Sequence, residues 1–151
     1  LRYQFKIKFL LILALGLATC TPLGAQSFAS QDLGLEEGLP AQIVNEVRVG
    51  PKGFAWMATE GAGLVRFDGY RFQTFGNELF PVVNDLAFDT LSDQLWFYND
   101  RNLWHYDGFE VKLAKVQPGH IAALASSPEG VWLQTDEALF LSSGDSLMRI
   151  T

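Results

Sequence analysis

The stretch VNEVRVGPKGFAWMATEGAGLVRFDGYRFQTF, residues 44–75, decides the fold. Runs of aliphatic and aromatic residues alternate here with turn chemistry. The first run, Val44–Val49, ends at Gly50-Pro51-Lys52-Gly53. The second, Phe54–Thr59, centres on Trp56 and ends at Glu60-Gly61-Ala62-Gly63. The third, Leu64–Phe67, meets Asp68-Gly69, and the fourth is Tyr70–Phe75. Asp-Gly between two such runs is a strong hairpin signal, because a two-residue turn needs backbone angles that Gly and Asp tolerate. The stretch therefore predicts four short antiparallel strands. One such sheet has no partner for its apolar face, so the rest of the chain must supply one.

Two further copies follow, at 83–113 and 121–150. Trp56, Trp96 and Trp132 stand 40 and then 36 residues apart. The next strand opens with Leu64, Leu103 and Leu139, which lie 8, 7 and 7 residues after the tryptophans. In every copy the fourth strand's anchor, Phe72, Val111 or Leu147, comes 8 residues later. The hairpin turn recurs as Asp68-Gly69, Asp107-Gly108 and Ser143-Gly144. Length varies only in turns, where extra residues cost little. A period near 40 with four strands per copy marks propeller blades. The expected fold is all-β: a partial β-propeller of about three four-stranded antiparallel blades. Blade one is expected at 44–76, blade two at 77–114 and blade three at 115–151.

Ahead of the blades, residues 1–26 read as a secretory signal peptide. Arg2, Lys6 and Lys8 precede the ten-residue apolar core Phe9–Ala18, and small residues follow to Gln26. Ten residues are too few for a bilayer span, which takes about 20. The rival reading is a lipoprotein, with Leu17-Ala18-Thr19-Cys20 as the lipidation sequence. Residues 27–43 form a lead-in, with a strand expected at Ser27–Leu33. Cys20 is the only cysteine. A body without cysteine suits an oxidising compartment and leaves no thiolate for metals or nucleophilic attack.

The chain has 151 residues, with 11 Lys/Arg against 17 Asp/Glu and a formal net charge of −6. No acid lies in the first 26 residues. Without them the body holds 8 basic and 17 acidic residues, a net of −9. An acidic body argues against nucleic acid, whose phosphates call for clustered Lys and Arg. Three blades are fewer than the four to eight of a closed ring, so terminal apolar faces are expected to stay uncovered. The expectation is therefore a piece of a longer protein, self-associating when isolated.

Gly38–Phe72 resembles the two-component regulator propeller repeat. The residues that carry the likeness are Gly38-Leu39-Pro40, Gly53, Trp56, Thr59, Gly63-Leu64 and Arg66-Phe67-Asp68-Gly69. The second copy keeps Leu95-Trp96, Leu103 and Tyr106-Asp107-Gly108. The third keeps Gly130-Val131-Trp132, Thr135 and Leu139. The resemblance implies the periplasmic sensor region of a hybrid two-component system in Bacteroidetes-type bacteria. Such a region is often tied to polysaccharide sensing, and a membrane helix and a kinase or DNA-binding output follow it. The implied ligand is a glycan or another small extracytoplasmic molecule, and the implied partners are further blades. The alternatives are a propeller-fold polysaccharide lyase or hydrolase and a surface-anchored lipoprotein using Cys20.

No catalytic motif is legible, and no metal or cofactor is expected. The repeated tryptophans read as packing between sheets, with sugar stacking as the functional alternative. Tyr98, Trp104 and His105 are the candidate ligand-binding residues. Strand alternation sends Trp104 and His105 to opposite faces. His120, the other histidine, lacks a zinc-like partner spacing. Asp68 and Asp107 are read as turn residues. Asn45-Glu46 and Asn84-Asp85 are read as hydrogen-bonding to the next blade or as lining a central channel. Asp89, Asp93, Asn99 and Asp100 match no calcium-loop spacing.

Overall fold

The computed structural model describes residues 32–150 apart from Arg101 and Val116. The signal segment 1–26, with Cys20, lies outside the described residues. So do residues 27–31 of the expected lead-in strand, and Asp32 and Leu33 belong to no strand. The chain enters the sheets through a tight turn. There Glu37 N and Leu39 N donate to Gly34 O, and the Glu37 carboxylate accepts from Gly34 N at 2.8 Å.

Twelve strands follow among the described residues. The first sheet holds β1 (Ile43–Val49), β2 (Ala55–Glu60), β3 (Leu64–Phe67) and β4 (Phe72–Phe75). The second holds β5 (Asp85–Asp89), β6 (Gln94–Tyr98), β7 (Leu103–Tyr106) and β8 (Val111–Leu113). The third holds β9 (Ile121–Ser127), β10 (Gly130–Thr135), β11 (Leu139–Ser143) and β12 (Ser146–Arg149). Strand order in each sheet follows the sequence, and every pairing is antiparallel. This is the architecture of three propeller blades.

The fourth strand starts at Phe72, not at Tyr70 as the sequence pattern predicts. The cause is Asp68. Its Oδ1 accepts from both Tyr70 N and Arg71 N at 2.8 Å, which holds those two residues in the turn. Asp107 does the same for Phe109 N and Glu110 N at 2.9 and 3.0 Å. These backbone bonds favour the charged form and hold both carboxyls below the usual range. The Lys112 ammonium, 2.7 Å from Asp107, adds to the second. The expected turn role of both aspartates stands, and Tyr70 and Phe109 are left pointing into solvent at the hairpin tips.

Period-2 alternation gives each sheet two faces. Trp56, Ala58, Leu64 and Phe75 of the first sheet meet Leu86, Phe88, Leu95, Phe97, Trp104 and Tyr106 of the second. The second sheet's other face places Ala87, Trp96, Tyr98 and Leu103 against Leu124, Val131, Leu133, Phe140 and Leu147 of the third. The middle sheet is thus covered on both sides, and every residue of β6 is buried. The junction between the first two sheets also takes in a residue from outside the strands. Phe80, in the linker to blade two, is fully buried and tilts against Phe97 and Trp104 at 5.1 Å each.

The innermost strands are tied across sheets. Asn45 Nδ2 donates to Val83 O at 2.8 Å, and Asp85 Oδ2 accepts from Leu124 N at 3.1 Å. Phe88 N donates to Ser126 Oγ at 2.9 Å. Of the two readings of the repeated Asn-acid pairs, the inter-blade hydrogen bond is the one these contacts carry. Deeper between the second and third sheets, Ser142 Oγ donates to the buried Asp89 at 2.6 Å and accepts from Val131 N at 2.8 Å. Asp89 also accepts from Leu91 N and Ser92 N, so both of its buried oxygens have hydrogen-bond partners.

Candidate functional site

The repeat places one side chain beside each tryptophan, two residues into the third strand. In the first sheet it is Arg66, in the second His105 and in the third Leu141. Each stands opposite its tryptophan in the strand register. This position gives each face its chemical character.

In the first sheet the Arg66 guanidinium lies over three rings. Its carbon is 4.7 Å from the Phe54 centroid, 5.7 Å from Trp56 and 5.8 Å from Phe75. Nη2 donates to Gln73 Oε1 at 2.6 Å. Trp56 in turn lies 5.2 Å from Tyr106 of the second sheet. Between the sheets is a cavity of about 80 Å³, walled by Phe54, Trp56, Phe88 and Tyr106 with Arg66 on one side. At its rim Lys52 Nζ lies 2.8 Å from Asp93 Oδ2, an ion pair that spans the two blades. Asp93 has φ +53°, an uncommon conformation that Asp tolerates better than most residues.

In the second sheet His105 stacks on Trp96 at 5.1 Å and is 2% exposed. Its Nδ1 and Trp96 Nε1 have no hydrogen-bond partner among the described residues. Burial pushes the imidazole below its ordinary range and outweighs the opposing pull of Asp145 and Asp107. Lys112 and Lys115 push it the same way as burial. Because the folded pKa lies below the unfolded one, the unfolded chain protonates first as pH falls. Stability is expected to drop as pH falls from about 7 to about 5. His105→Phe, which keeps the stack and removes the proton site, is expected to flatten that slope. Urea unfolding at several pH values reads both, and an unchanged slope in the variant would refute the assignment.

The three candidate ligand residues do not converge on one surface. Tyr98 is buried and its hydroxyl donates to Ala122 O at 3.3 Å in the third sheet. Trp104 faces the opposite side and packs on Phe80. His105 lies under Trp96. The structure thus uses all three in packing between sheets. Trp56 and Trp96 are buried in the same way, whereas Trp132 is only half-buried, because no sheet among the described residues covers its face. His120 lies 3.2 Å from Asp136 on an exposed loop. Asp89, Asp93 and Asn99 are engaged separately, by Ser142, by Lys52 and by Asn102 N respectively.

Arg66 was legible in sequence only as part of the Arg-Phe-Asp-Gly motif. Its alternation with Leu64 places it on the Trp56 face. The cavity was not legible, because Phe88 and Tyr106 reach it from another sheet.

The fold and its junctions define a partial β-propeller. No family model and no curated protein matches the chain. Solved structures do share its fold. One is the extracellular domain of BT4673 from B. thetaiotaomicron, described as a hybrid two-component system. It is similar with a TM-score of 0.64 and 13% identity, over 85% of this chain and 19% of that one. The extracellular domain of BT3049 from the same organism, described likewise, gives a TM-score of 0.58 and 15% identity, over 77% of this chain and 18% of that one. The chain therefore spans about a fifth of the length of these structures. Likeness at such identity establishes shared blade architecture, in agreement with the resemblance carried by Gly38–Phe72.

Proposed function

We propose that this chain is a blade-bearing segment of the exported sensory region of a bacterial two-component protein. The observation that carries the reading is the fold shared with two extracellular domains of hybrid two-component systems. Its role is binding, not catalysis. Rigid sheets present loops to a glycan or another small extracytoplasmic ligand, and occupancy biases two receptor states by binding one more tightly. The half-buried Trp132, with Leu139 and Leu141 beside it, stands where Trp56 and Trp96 meet the next sheet. A further blade of the same pattern is the partner that fits there.

Two measurements test the reading. An epitope tag in the exposed Asp68–Gly69 turn is expected to be cleaved when protease is added to cells with a permeabilised outer membrane. Protection until the inner membrane is lysed would refute export. Oligosaccharide fragments screened by thermal shift are expected to yield a ligand that raises the melting temperature. A fragment that the protein cleaves instead would favour the lyase or hydrolase reading.

A further inference from the structure

Arg66 is the unusual charge of the first junction. The chain is acidic overall, yet among the described residues no carboxylate forms a close ion pair with this guanidinium, and Asp68, whose charge it favours, acts on it only from a longer distance. Arg66 Nη2 donates to the neutral Gln73. An arginine has five N–H donors in a planar fork that fits a carboxylate bidentately. Held against Phe54, Trp56 and Phe75, it is partly stripped of water, which strengthens attraction to an anion. The space it faces is a cavity with aromatic walls.

We propose that the cleft between the first and second sheets binds a carboxylate carried on a six-membered ring. The carboxylate forks onto Arg66 beside Trp56, and the ring lies at the cavity mouth against the half-buried Phe54 and Phe88. At about 80 Å³ the cavity is smaller than an apolar cavity of ~150 Å³ that takes in a benzene ring. It therefore takes the carboxylate and the ring's near edge, and the rest of the ring runs out past Lys52. Aromatic acids and uronic acids both present this chemistry. Asp93 at the rim opposes the ligand's charge, and its pairing with Lys52 keeps that opposition local. This site is independent of the sensory reading above, and so is its test.

Benzoate and glucuronate, titrated separately into the full chain, are read by the Trp56 indole N–H resonance. The Trp96 indole, in the other junction, reports an intact fold. At least one acid is expected to shift Trp56 with a dissociation constant on the order of 1 mM. Benzoate alone identifies an aromatic acid as the preferred class, glucuronate alone an acidic sugar, and both the shared carboxylate chemistry. Arg66→Gln is expected to weaken binding about 10-fold or more. Arg66→Lys keeps the charge without the fork and should weaken it less. Asp93→Asn should tighten it roughly twofold. No shift with either acid, or equal affinity for uncharged benzamide, would overturn the proposal. Unchanged affinity in Arg66→Gln would do the same. If Arg66→Gln disturbs the Trp96 signal, Arg66→Lys and Asp93→Asn decide the matter.

Discussion

Trp96→Ala is expected to cost about 3–5 kcal/mol of folding stability, the range for removing a large aromatic side chain from a core. Trp96 is fully buried, packs in the cluster that joins the second and third sheets, and carries the His105 stack. Domains of this size are stable by roughly 5–15 kcal/mol, so a large part of the total is at stake. Trp132→Ala provides the control. It changes the same residue at the same repeat position, but on a face that no described sheet covers. Its cost is expected to be about 1 kcal/mol, in keeping with partial burial. Urea unfolding midpoints compare the two. Equal losses would mean that the tryptophan acts within its own sheet and not across the junction.

Gly76→Ala is expected to be nearly as damaging, although it adds only a methyl group. Gly76 has φ +63°, which costs a residue with a side chain about 1–2 kcal/mol. A Cβ there would lie 2.0 Å from the tip of the Phe80 ring. That ring is fully buried between Phe97 and Trp104, so it cannot swing away without opening the junction. Overpacking of this kind adds about 1–3 kcal/mol. The same methyl group at Gly69, φ +99°, meets nothing within 4 Å and should cost only the backbone term. Thermal melts of the two variants separate steric from conformational cost. A Gly76→Ala melting point no lower than that of Gly69→Ala would rule out the clash.

The contrast between these variants marks how far sequence reading reaches. The Asp-Gly turns and the spacing of the tryptophans and leucines suffice for twelve short strands in three sheets. Strand ends depend on finer chemistry. Asp68 captures two backbone N–H groups and delays β4 by two residues, a bond that hydrophobic pattern does not encode. Phe80 sits in what reads as a linker, with no periodicity to mark it as core. Ser142 stands where its counterpart Tyr106 packs on Trp56, and instead ties Asp89 across the junction. Tyr98, Trp104 and His105 form a polar-aromatic cluster in sequence, yet the strand pleat and the two flanking sheets divide them between opposite interiors.

The amino-acid order by itself determined the strands and their turns, which follow from interactions among residues a few positions apart, and the number of sheets, which follows from the repetition of that pattern. Which tryptophan is buried and where a cavity remains were decided only when the sheets met. Those outcomes rest on surfaces that lie about 40 residues apart along the chain, and no local pattern records how two such surfaces fit.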